Sequence, residues 1–286
     1  MKKIIYFIEF LLVEFLFIIC KVIGYKSASN LGFFIGKNFG NLFRKRKSII
    51  ENLHKSKIVI NISDNQFVNN ILGNYGRILA EYPFLKDFRK NKLEQFIKID
   101  GIENLDKIKN NKKPVVFISG HFNNFELMAM QIEKHGINLA AIYRPLNNIF
   151  LNKIMVYLRK NYICKNQLVK GIGGVRDSFK LFKEGVSLAL MIDQRLTEGI
   201  KVDFFGKNAA TTTLPAQFVK KFNAEIIPVH IFRDKNFKFK MKINRPLNFD
   251  ENENLESITS KLNKWIEKEI VKHPEQWIWS HNRWKI

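Results

Sequence analysis

The chain has 286 residues, 46% of them hydrophobic, enough for one large α/β domain or two small ones, which excludes a disordered protein. Its net charge of +22 asks for an anionic partner: nucleic acid, anionic lipid, or an acidic protein or substrate. No RNP-like motif, zinc finger or helix-turn-helix supports nucleic acid, and Cys20 and Cys164 lack the neighbours that a zinc site or a disulfide framework needs.

The first element is apolar. Residues 4–20 read IIYFIEFLLVEFLFIIC, interrupted by Glu9 and Glu14. A spanning helix needs about 17–25 residues, which this run reaches if it continues through Gly24. Each acid costs about 2.5–3.5 kcal/mol at the centre of a membrane. A spanning anchor, an interfacial helix and a signal peptide therefore compete. The signal-peptide cleavage site, near Ser27-Ala28-Ser29, sits behind Lys21 and Lys26, which favours a retained anchor. Residues 1–24 are assigned to that anchor. The cluster Arg44-Lys45-Arg46-Lys47 then falls on the cytoplasmic side. Between anchor and cluster, Gly32, Gly36 and Gly40 share one helical face, open either to another backbone or lipid chain or to ordinary packing. Residues 25–100 are read as a helical, basic, membrane-proximal segment.

Val115-Val116-Phe117-Ile118 is short, apolar and β-branched, so a buried strand is expected. His121 follows its end. A helix follows from about Leu127, with Asn123 or Asn124 as its cap. This order puts His121 in the crevice at the carboxyl end of a sheet, where α/β enzymes bind ligands. A histidine general base needs a partner that fixes its tautomer, and Glu126, in the first helical turn, is placed to fold back onto His121. Glu126 could equally close a capping box. With six histidines in the chain, the spacing alone is near chance, but only His121 combines it with a strand end. Further on, residues 186–192 read as a buried strand ending at Asp193.

Four blocks carry a resemblance: Ser119-Gly-His-Phe-Asn-Asn-Phe-Glu126; Tyr143-Arg-Pro-Leu-Asn-Asn148, with Arg159 beyond it; Glu184 through Met191-Ile-Asp-Gln-Arg195 to Val202-Asp-Phe-Phe-Gly206 and Ala210-Thr-Thr-Thr213; and His273-Pro-Glu-Gln-Trp-Ile-Trp279 continuing to Trp284. Together they resemble the bacterial lipid A biosynthesis acyltransferases, the lauroyl and myristoyl transferases with a His-x4-Asp/Glu signature. The acid here is Glu, and residues 195–200 depart from the family's commoner glycine- and aspartate-rich version, which bears on the acceptor more than on the reaction class.

The resemblance implies an α/β fold with a central mixed sheet flanked by helices, an N-terminal membrane-anchoring helix, and an acyltransferase core over residues 101–286. It implies His121 as base and Glu126 as its orienting partner. Arg159 would face the substrate phosphate or the developing oxyanion, and Asp193 would lie in the crevice. Arg144 would sit on the substrate side, and Phe205, Gly206 and Thr212 would line the site. Each arginine has a bland alternative as a surface residue, Asp193 as a turn residue, and Trp277, Trp279, Trp284 and His281 are read as packing. The implied donor is acyl carrier protein, with acyl-CoA as the alternative, and the implied acceptor is a lipid A precursor at the cytoplasmic side of the bacterial inner membrane. No metal or other cofactor is expected, because a thioester is already activated. The partners are then acyl carrier protein and anionic lipid, not nucleic acid. A lysophospholipid or other glycolipid acceptor, and more remotely a non-catalytic membrane- or nucleic-acid-binding protein, are the competing readings.

Overall fold

In the computed structural model, which describes residues 2–234 and 237–285, the chain opens with helices. They are α1 (Lys2–Ile23), α2 (Tyr25–Phe39), α3 (Arg46–Ser56), α4 (Asp64–Glu81) and α5 (Leu85–Arg89). Strands and helices then alternate: β1 (Ile97–Asp100), α6 (Ile102–Asn111), β2 (Val116–Ser119), α7 (Glu126–Lys134), β3 (Leu139–Tyr143), α8 (Ile149–Leu158), β4 (Asn166–Val169), α9 (Ile172–Lys183) and β5 (Ser187–Met191). The hairpin β6 (Ile200–Phe204) and β7 (Lys207–Thr211) follows. After it come α10 (Leu214–Phe222), β8 (Ile226–Arg233), β9 (Phe239–Ile243) and α11 (Leu255–Lys272).

Seven strands form a mixed sheet in the order β1-β9-β8-β2-β5-β3-β4. All its pairs are parallel except β8 with β9. The α/β class and the mixed central sheet are as expected from sequence. β1, however, lies inside the stretch assigned to helices and is one of the two edge strands of the sheet.

The sheet separates two cores, as strand alternation requires. Val116 and Ile118 of β2 enter one core with Phe67, Ile71, Trp277 and Trp279. Phe117, between them, enters the other with Phe88, Leu127 and Met130. β2 is buried along its whole length, which is why its sequence is an unbroken apolar run.

The glycine face of α2 packs on α4 of the same chain. A Cβ on Gly36 would stand 2.2 Å from the Leu72 carbonyl oxygen, and one on Gly76 would stand 1.9 Å from that of Gly32. The recurring glycines thus serve an intramolecular helix crossing.

Among the described residues, no helix is long and apolar enough to cross a membrane. The stretch read as an anchor is α1, whose inner side packs on the protein through Leu16, Phe17 and Cys20. Phe7 and Phe10 contact Phe150 of α8, and Asn148, which caps α8, donates to the Tyr6 carbonyl at 2.8 Å and to Glu9 at 3.0 Å. Outward, Ile4, Leu12, Phe15, Ile18 and Val22 are 60% to 81% exposed.

Candidate active site

Strand register brings the central residues together. Ser119 of β2 pairs with Met191 of β5, and two residues beyond each lie His121 and Asp193. The Asp193 carboxylate accepts from the His121 backbone N–H at 2.7 Å and from the ring Nδ1 at 2.7 Å. Trp277 Nε1 donates to it at 2.8 Å. Gly120 leaves the space for this approach: a Cβ there would come 3.1 Å from Asp193 Oδ2 and 2.8 Å from the Phe122 ring.

Asp193 is fully buried, and burial alone would raise its pKa. The His121 imidazole and the donated hydrogen bonds outweigh that and hold the carboxyl below its usual range. An ionised Asp193 requires the Nδ1–H tautomer of His121, so the Nε2 lone pair is free to accept a proton. The Gln194 side-chain amide stands 3.3 Å from Nε2, and the Phe125 ring meets the imidazole edge-on at 4.8 Å.

Glu126 is not the partner of His121 that sequence spacing predicts. Its Oε1 accepts from Arg159 Nε at 2.8 Å and from the Tyr82 hydroxyl at 2.8 Å. The cause lies in the helix start. Asn123 takes a left-handed backbone (φ 43°), and α7 begins only at Glu126 with no side-chain cap. Neither Asn123 nor Asn124 caps it, because their side chains turn to Gln276, Arg233 and Glu81. The first helical turn therefore presents Glu126 to Arg159, which sits in a π-helical turn after α8. Burial pushes the Tyr82 phenol up, and the Glu126 charge pushes it further. Burial would lower the Arg159 pKa, but Glu126 more than offsets it and keeps the guanidinium charged.

The other expected residues spread out. Arg144 follows β3 and is exposed, on the same carboxyl edge of the sheet as His121 and Asp193. Phe205 and Gly206 form the turn at the tip of the β6–β7 hairpin, and the contacts of Phe205 are with Glu267, Phe204 and Trp284. Thr212 Oγ1 accepts from Leu214 N at 3.2 Å, a local turn at the start of α10. His281 accepts from Arg195 N at 2.9 Å, and burial lowers its pKa to about 4, so it stays neutral. Trp279 and Trp284 are buried packing residues, whereas Trp277, read from sequence in the same way, also bonds to Asp193. Sequence reasoning missed Gln194, although it adjoins Asp193. It also missed Tyr82, which has no local signal.

The model of the family described as bacterial lipid A biosynthesis acyltransferase matches residues 1–286. The chain belongs to the bacterial lipid A biosynthesis acyltransferase family. It is 24% identical over 264 residues to a lipid A biosynthesis acyltransferase of Haemophilus influenzae, covering 88% of this chain and 83% of that protein. It is 23% identical over 263 residues to the lipid A biosynthesis lauroyltransferase of Escherichia coli, covering 88% and 84%. The palmitoleoyltransferase of the same organism matches at 24% over 219 residues, 73% of this chain and 68% of that one. As a member of this acyltransferase family the chain is an acyl-transferring enzyme, and its site must be read as one that moves an acyl group.

Proposed function

We propose that this acyltransferase moves a fatty acyl chain from acyl carrier protein to a hydroxyl of a lipid A precursor, with His121 as general base and Asp193 as its orienting acid. The observation that carries the reading is the 2.7 Å bond between His121 Nδ1 and a buried Asp193, at the carboxyl ends of adjacent parallel strands. The acceptor hydroxyl displaces the Gln194 amide and gives its proton to Nε2 as its oxygen attacks the thioester carbonyl carbon. The tetrahedral intermediate collapses, the C–S bond breaks, and the leaving thiolate takes the proton back from the imidazolium. Asp193, itself buried, stabilises that imidazolium.

Glu126 then has a different task. It holds Arg159, whose charge suits the acceptor phosphate or the developing oxyanion. The surface fits the same reading. The net charge of +22 complements an acidic carrier protein and an anionic leaflet, and the outer face of α1 suits insertion into the headgroup region at the cytoplasmic side of the inner membrane.

The test is acyl transfer by the purified protein with a panel of acyl carrier protein and acyl-CoA donors, offered a lipid A precursor or a lysophospholipid. Acylated lipid A precursor, lost in His121→Ala, is expected. Transfer only to the lysophospholipid, or unchanged lipid A in a strain lacking the gene, overturns the acceptor. Full activity of a folded His121→Ala overturns the mechanism.

A further inference from the structure

Behind the site lies a second buried charge pair that the acyl-transfer chemistry does not use. Glu81 ends α4 and Arg233 ends β8. Glu81 is fully buried and Arg233 is 9% exposed. Arg233 Nη2 lies 2.6 Å from Glu81 Oε1 and 2.7 Å from Oε2. A buried pair of this kind is a poor source of net stability, since well-packed apolar residues serve as well, so its value lies in what it holds in place.

What it holds is the loop after His121. Arg233 Nη2 also donates to Asn123 Oδ1 at 3.0 Å, and Asn124 Nδ2 donates to Glu81 Oε2 at 3.1 Å. The Gln276 side chain ties both strands of the junction, accepting from Arg233 N at 2.8 Å and from Asn123 Nδ2 at 2.9 Å. These contacts meet at the residue with the left-handed backbone, in the loop between β2 and α7, two residues after His121.

The sheet order makes the arrangement two-sided. β2 lies between β5 and β8. Asp193, from the β5 side, grips His121 itself. Arg233, from the β8 side, grips the next turn of chain. Ser29 of α2 donates to Glu81 Oε1 at 2.8 Å, and Tyr25 accepts from Arg233 Nη1 at 2.9 Å, so the N-terminal helices are bonded into the same network.

We infer that Glu81 and Arg233 are positioning residues, which lock the Asn123–Asn124 turn to the N-terminal helices and so fix His121 against Asp193. The inference rests on the base role assigned to His121. A loosened turn leaves the acceptor free to bind but withholds the aligned imidazole, so kcat falls while KM holds.

The full chain is assayed with acyl carrier protein donors and lipid A precursor, alongside hydrogen–deuterium exchange of residues 121–125. Asn124→Ala removes the grip of Glu81 on the turn and leaves the ion pair intact. A fall in kcat of about tenfold, KM within about twofold and faster exchange in the turn are expected. Glu81→Gln is expected to lose more. Arg233→Lys, which keeps the charge but not the planar fork, is expected to behave like Glu81→Gln rather than like wild type. Wild-type kcat, or unchanged exchange in the turn, in a folded Asn124→Ala overturns the inference. Should Glu81→Gln fail to fold, Asn124→Ala decides alone. Should wild type transfer no acyl group to this acceptor, the acceptor assignment fails rather than the base role, and exchange in the turn still decides whether the pair holds it.

Discussion

Two buried acids lie near His121, and their partners separate their tasks. Asp193 meets the imidazole, while Glu126 meets Arg159 and Tyr82. Asp193→Asn keeps the size but offers an amide that can donate to Nδ1, which selects the wrong tautomer and leaves Nε2 protonated. A loss in kcat on the order of 10⁴-fold, with acceptor KM little changed, is expected from the behaviour of such triads. Glu126→Gln leaves the His121 tautomer alone and frees Arg159 of its counter-charge. Its main effect should fall on acceptor KM, with kcat reduced by less than in Asp193→Asn. Steady-state kinetics of the two variants check this. The reverse ranking would restore Glu126 as the acid that orients the base. The sequence carried His121 clearly, because a strand end and a following helix are local patterns. It could not carry the partner. Asp193 is 72 positions away, and only the in-register pairing of β2 with β5 decides which of several acids reaches the ring.

At the scale of elements, the α2–α4 crossing depends on glycine for space and not for backbone freedom. Gly76 meets the backbone of Gly32, which cannot rotate away as a side chain could. Gly76→Ala must therefore push the helices apart, at a cost of about 1–3 kcal/mol. Gly173, in the first turn of α9, is the control: a Cβ there meets nothing within 4 Å. Gly173→Ala should stabilise by up to about 1 kcal/mol through helix propensity. Denaturant unfolding distinguishes them, and equal effects would remove the steric account. The four-residue glycine spacing was legible in the sequence, but its target was not, since α4 shows no matching pattern beyond Gly73 and Gly76. β1 was illegible for a related reason. It is four residues long with alternate exposed positions, and only β9, itself far along the chain, makes it a strand. The caps failed similarly: Asn123 and Asn124 have the composition of a helix start, but a distant arginine and glutamate claim them.

For the whole molecule, charge and apolar exposure must be weighed together. A polar surface with 48 Lys and Arg against 26 Asp and Glu would be attracted to any polyanion, which makes the charge unspecific. The outer face of α1 adds what a nucleic acid could not satisfy. Ile4, Leu12, Phe15, Ile18 and Val22 lie along one side of a helix whose other side is fixed to the protein. Glu9, costly in a spanning helix, is bonded to Asn148 at the α8 cap and need not enter lipid. Leu42 and Phe43, beside Arg44 and Lys45, repeat the pairing of exposed apolar and basic residues. An interfacial helix held by both forces should bind anionic vesicles more tightly than zwitterionic ones, and rising salt should weaken only the electrostatic part. Each large apolar side chain transferred from water contributes about 1.5–3 kcal/mol. Leu12→Asp with Phe15→Asp should therefore reduce vesicle binding at least tenfold at any salt. Its thermal stability should not change, because both side chains already face solvent. Cosedimentation with vesicles of the two compositions measures this. Undiminished binding by the double variant would mean that another surface meets the lipid, and binding abolished by salt alone would mean that α1 never enters it.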